Sequence, residues 1–255
     1  MVFPLFDDNT DRRRQPVVNY VLIIINVLVF VFLQEFGKED NRFTMAFSMV
    51  PEEIVTGEDV VGEREIHDSH GRRVGAIHHE QNPISVYLTL LTSLFMHGSI
   101  MHLLGNMLFL WIFGDNVEDY LGPLRYLAFY LVCGVLASLA HIATTYMFHQ
   151  NPLIPSLGAS GAISGVLGAY LILYPHKRVT VILFRFLTEA PAYVAIGMWF
   201  LFQLVNSLGM LGGDQGGVAY GAHIGGFVAG LALVKVFAMD LEEPPPRQYP
   251  QQRYF

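Results

Sequence analysis

The chain has 255 residues, 53% of them apolar and only 15% charged, with a mean hydropathy of +0.41; soluble domains carry about a quarter charged residues, so an ordinary water-soluble globule is excluded. The net charge of −7 comes without a basic patch for nucleic acid, and the single cysteine, Cys133, excludes an intramolecular disulfide and any cysteine-based metal cluster. Six spanning helices of roughly 20 residues would use about 120 positions and leave over half the chain for loops and tails, while 24 glycines suit helices that pack closely in lipid.

Residues 1–16 are polar and place Arg12, Arg13 and Arg14 before an apolar run over 17–36. That run is too long for a signal-peptide core and lacks a small-residue cleavage site, so it reads as an uncleaved first span. Residues 37–83 carry ten acidic and five basic residues and form an extramembrane loop. Apolar character returns over 84–113, 124–147, 159–174, 179–208 and 218–239. The expected fold is therefore all-α, a polytopic six-transmembrane-helix bundle over 17–239. A cytoplasmic segment 1–16 precedes it and a disordered tail over 240–255 follows, whose Pro244, Pro245 and Pro246 also allow a proline-motif ligand. Even span number puts both termini on one side. That side collects Arg12, Arg13, Arg14, Arg125, Lys177, Arg178, Lys235, Arg247 and Arg253, so both termini are expected in the cytoplasm of a cell-membrane protein.

Three places carry chemistry. Gly158, Ala159, Ser160 and Gly161 open an apolar helix that ends before Pro175 and the basic His176, Lys177 and Arg178. About 16 residues at 1.5 Å each give roughly 24 Å, against a hydrocarbon core of about 30 Å. Ser160 would sit several ångströms below the outer surface, at a first turn whose free N–H groups and dipole stabilise an oxyanion. The same residues also read as a serine cap between packing glycines. His223, in the last span, is an ionisable residue at membrane depth and hence a functional candidate. Ala222, Gly226 and Gly230 form a smooth stripe beside it, and Gly161, Gly165 and Gly168 do so on the serine helix. Helices this smooth can bring an imidazole to a hydroxyl, giving a nucleophile with a general base; a histidine bonded to a carbonyl, or part of a proton path, is the other reading. His102 and Asn106, four residues apart, share one helix face and offer neutral donors to an oxyanion, or act as interhelical glue. No intramembrane Asp or Glu is placed to orient His223, so a dyad is expected rather than a triad. Asp115, Glu118 and Asp119 fall in a cytoplasmic turn after the second span, far from these groups.

These residues resemble the rhomboid intramembrane serine proteases: Gly158-Ala159-Ser160-Gly161, Ala222-His223 with its following glycines, and the run from His97-Gly98-Ser99 through His102 to Asn106 match in order and spacing. The resemblance extends over about 17–239 and includes the turn at 114–119. It implies Ser160 as nucleophile, His223 as general base and later acid, and an oxyanion hole from the Ser160 N–H with the side chains of His102 and Asn106. The implied reaction is hydrolysis of peptide bonds in or beside a transmembrane segment of single-span or multi-span membrane proteins, without cofactor or metal. A catalytically inactive relative that binds or escorts membrane proteins is the alternative, as is a channel with a polar path. The fifth span, with Trp199, Phe200 and Phe202, resembles a substrate gate, although these residues also read as lipid-facing aromatics. The glycine-rich stretch over 207–217 resembles a mobile cap. Many members carry a Trp-Arg pair in the first loop, which the stretch at Val86, Tyr87 and Leu88 lacks; where an aromatic often stacks on the histidine, this chain has Ser164. His223 is then expected to rest on glycine and alanine or on Ser164, and Ser164 itself is a competing nucleophile. His67, His70, His78 and His79 in the loop read as solvated side chains or as a divalent metal site.

Overall fold

A computed structural model describes residues 2–10, 12–38, 41–67, 72–183, 186–210 and 219–241. The proline-rich tail, most of the expected cap and His70 lie outside the described residues.

The chain begins with strand β1 (Val2–Asp7), then helix α1 (Val17–Leu28), which continues into a π-helical turn, Val29–Leu33. The first loop holds α2 (Arg42–Phe47), α3 (Pro51–Thr56) and an antiparallel hairpin of β2 (Gly62–His67) and β3 (Arg73–His79). Pro51 starts α3, where a missing N–H costs nothing, and Gly57 ends it at φ +74°. A short helical stretch follows, Val86–Leu88, α4 (Thr89–Thr92) and Ser93–Phe95. Next come α5 (Ile100–Phe109), a π-helical turn Leu110–Gly114 and α6 (Asp115–Leu121), in one continuous rod. Helices α7 (Pro123–Met147) and α8 (Ser160–Leu173) precede strands β4 (Arg178–Leu183) and β5 (Phe186–Pro191), and α9 (Ala192–Met210) and α10 (Tyr220–Phe237) close the bundle.

The fold is mostly helical, and two small sheets correct the all-α expectation. Strands β1, β4 and β5 form an antiparallel sheet in that order. The stretch over 179–208 is therefore not one span. Its first part, Val179-Thr180-Val181-Ile182, is β-branched and pairs with the chain's first residues, and α9 starts only at Ala192. A short apolar run reads alike as buried strand or helix, and here pairing decided it. The expected second span also divides, because Met96–Ser99 separates the short stretch from the rod that Ser99 caps by accepting the His102 N–H at 3.1 Å. Among the described residues three helical rods are long and apolar enough to cross a membrane, Ile100–Leu121, Pro123–Met147 and Tyr220–Phe237. Val17–Leu33, Ser160–Leu173 and Ala192–Ser207 are apolar but shorter.

The core gathers Phe113, Tyr126, Phe129, Tyr130, Val166 and Tyr170, all fully buried. Large apolar side chains such as Ile24, Phe32, Trp111, Leu201 and Val228 remain exposed around the outside, a surface suited to acyl chains rather than water. Asp115, Glu118 and Asp119 belong to helix α6, not to a turn, and are buried. Glu118 accepts the first-turn N–H groups of Val18 (2.9 Å) and Asn19 (2.6 Å) and so caps α1. Asp119 accepts the N–H groups of Arg13 and Arg14, and Asp115 pairs with Arg12 at 3.0 Å. Beside them Asp7 accepts from Asn116 (2.8 Å) and Tyr170 (2.5 Å). Burial pushes its carboxyl up to about 6 despite the Tyr170 hydrogen bond.

Candidate active site

Ser160 and His223 meet because two backbones touch. A Cβ added to Gly226 would strike the carbonyl oxygen of Gly161, and one added to Gly230 would strike that of Gly165. Gly165 in turn lies against Cys133, and Gly161 against Ala137. The glycine stripes thus seat α8 against α10 with no side chain between, and at one end of this seam His223 Nε2 stands 2.8 Å from Ser160 Oγ. Helix α10 begins there with the N–H groups of Ala222 and His223 both donating to the Ala219 carbonyl.

Ser160 is the first residue of α8, whose opening bond runs from the Ile163 N–H to the Ala159 carbonyl at 3.0 Å. The Ser160 N–H therefore precedes the helical ladder and stays free to donate to a ligand. Gly158 is not part of the helix packing. It takes φ +133°, and a Cβ there would lie 3.0 Å from His102 Cε1 and 3.1 Å from Nε2. This glycine lets the loop press on the His102 ring beside Ser160. The ring of His97 packs edge-on against His102 at 5.1 Å, while Gln34 holds the His97 backbone through both its N–H (2.8 Å) and its carbonyl (3.1 Å). Asn106 lies one turn along α5, buried, and its amide Nδ2 has no hydrogen-bond partner among the described residues. A cavity of about 20 Å³ opens beside Ser160, lined by Ser93, Ser138, Ser156, Gly158 and Ala219 among others. On the far side of the imidazole, Nδ1 stands 2.8 Å from Gln203 Oε1 of α9.

A family model for the Rhomboid domain matches residues 85–239. The chain belongs to the rhomboid family. It is 31% identical over 152 residues to Rhomboid protein 1, mitochondrial, of Saccharomyces cerevisiae, covering 60% of this chain and 42% of that protein. It is 29% identical over 222 residues to Rhomboid protease GluP of Bacillus subtilis, covering 87% and 36% respectively. It is also 32% identical over 158 residues to the human Presenilin-associated rhomboid-like protein, mitochondrial, covering 60% and 39%. The matched part thus spans less than half the length of each of these relatives.

In this rhomboid, Ser164 does not approach the histidine. Its hydroxyl donates back to the Ser160 carbonyl at 2.6 Å and is fully buried, so it neither supports His223 nor competes with Ser160 for it. Aromatic contact to the imidazole comes instead from Trp199 of α9 at 6.2 Å and from Tyr220, one turn earlier on α10 itself, at 6.3 Å. Of the gate aromatics, Trp199 and Phe200 pack inward on Phe227 while Phe202 faces out. The residue that sequence reasoning passed over is Gln203. Its signal is a primary amide within an apolar helix, but its contact with His223 crosses from one helix to another and leaves no local pattern. Of the loop histidines, only His78 and His79 have described side chains. His78 and His79 are neighbours in β3, one exposed and one buried, with the His79 ring pushed down by burial, Arg64 and His78. Among the described residues no three His, Cys, Asp or Glu side chains form a metal site.

Proposed function

We propose that this rhomboid is an intramembrane serine endopeptidase acting through Ser160 and His223. The observation that carries the reading is the 2.8 Å contact between Ser160 Oγ and His223 Nε2. Nε2 takes the hydroxyl proton as Oγ attacks the scissile carbonyl, and the imidazolium then protonates the leaving amine. Charge on the carbonyl oxygen is met by the Ser160 N–H with the side chains of His102 and Asn106, whose Nδ2, without a hydrogen-bond partner among the described residues, supports that role. The acyl-enzyme is released by water, and the cavity beside Ser160 has room for one molecule. Substrates are single-span or multi-span membrane proteins, and the substrate helix must open locally, since a regular helix keeps its carbonyls in i to i−4 bonds.

The arrangement in the bilayer follows from the same reading. Six helical bodies, α1, the α5–α6 rod, α7, α8, α9 and α10, serve as the spans. The 14 residues of α8 measure about 21 Å, so its first residue lies within the membrane rather than at its surface. Both termini lie in the cytoplasm of a cell-membrane protein, with the loop over 37–83 outside. The test is cleavage of a single-span protein in liposomes by wild type, Ser160→Ala and His223→Ala. Both variants are expected to lose activity by about four orders of magnitude or more. Equal cleavage by all three would remove the assignment.

A further inference from the structure

Resting on the protease reading, we infer that Gln203 of α9 is the positioning residue for His223, filling with a neutral amide the place an aspartate holds in a Ser-His-Asp triad. Oε1 of Gln203 only accepts, so at 2.8 Å it requires Nδ1 of His223 to carry the proton. A neutral imidazole protonated at Nδ1 presents a lone pair at Nε2, the atom facing Ser160 Oγ. The opposite tautomer would aim a proton at the serine and could not take one from it. One hydrogen bond thus selects the form that acts as base and fixes the ring's rotation.

Among the described residues no other group near the ring does this. The titratable groups that act on His223 from its neighbours are His102 on α5 and His141 on α7, and Tyr220 stands on its own helix. Ser164 is committed to the Ser160 carbonyl. No carboxylate among the described residues is bonded to the ring. Trp199, four residues before Gln203 and so on the same face of α9, packs against both His223 and Phe227. Gln203 and Trp199 together grip the imidazole from one helix, so the position of α9 decides whether the base is correctly turned.

The experiment compares wild type, Gln203→Leu, Gln203→Glu and Ser160→Ala in liposomes, measuring kcat and KM against pH and thermal stability. Gln203→Leu is expected to lose roughly 10- to 100-fold in kcat with KM and Tm little changed, as for a lost orienting partner. Gln203→Glu keeps the acceptor, so it should retain kcat at high pH. A carboxylate at Nδ1 favours the protonated ring, so the acid limb of its profile should move to higher pH. The inference is overturned if Gln203→Leu cleaves like wild type, or if the Gln203→Glu profile superimposes on the wild-type one. Should Gln203→Leu fail to fold, the Gln203→Glu profile decides alone. Failure of the protease reading shows separately, as a wild type no more active than Ser160→Ala.

Discussion

Helix α10 is held on its two sides by opposite means. Toward α8 it offers glycine, and main chain meets main chain at Gly161 with Gly226 and Gly165 with Gly230. Toward α9 it offers His223 and Phe227, which meet the long side chains of Gln203, Trp199 and Phe200. The first contact has no rotatable bond in it, so the separation of Ser160 from His223 is as rigid as the helices themselves. The second contact consists of rotatable bonds, and the opposite face of α9 exposes Leu201, Phe202 and Val205. The distance between Ser160 and His223 is therefore set by backbone, whereas the orientation of the imidazole is set by side chains from a third helix.

That division can be broken from either side. The largest effect is expected for Gly226→Leu, because its Cβ meets a carbonyl oxygen that cannot rotate away. Forcing the helices apart should cost about 3 kcal/mol and abolish cleavage, seen as a drop in Tm in detergent with loss of turnover. Wild-type Tm and activity in this variant would show that the seam is not close-packed. Asn106→Ala sharpens the contrast between stability and chemistry. Its Nδ2 makes no hydrogen bond among the described residues, so Tm should hardly change, while kcat falls on the order of 10²- to 10³-fold. A large loss of Tm would instead identify Asn106 as interhelical glue.

The smallest effect lies at the other end of the bundle, at Asp7. Its carboxyl is held up to about 6 by burial, against an ordinary 3.8, so the folded protein binds this proton more tightly than the unfolded chain. The associated stability is present below about pH 4 and is lost as pH rises through 6, at most about 3 kcal/mol. Asp7→Asn lacks this dependence, so its Tm relative to wild type should rise by a few degrees between pH 4.5 and pH 7. A constant difference across that range would remove Asp7 from the account.

Much of the candidate site was legible in the chain because its signals are local. Ser160 opens a helix between glycines, His223 is an ionisable residue inside an apolar run, and His102 with Asn106 share a face by spacing alone. Gly158 was legible as part of the motif but not in its role. Its positive φ and its approach to His102 depend on how the preceding loop is held, by the Gly158 N–H donating to the Ser93 carbonyl at 2.9 Å. The gate aromatics divided for a similar reason, since the rotation of α9 about its axis decides that Trp199 turns in and Phe202 out.

The amino-acid order by itself determined that this protein is built mostly of apolar helices and which residues are candidates for chemistry, because hydrophobicity, helical period and motif spacing are properties of neighbours along the chain. Tertiary structure alone decided that residues 179–183 pair as a strand with the first residues of the chain instead of joining a helix. It alone brought Gln203 to His223 from a different helix. Both are matters of register and rotation between segments, and a hydrogen bond between separate elements exists only once packing has set how each one is turned.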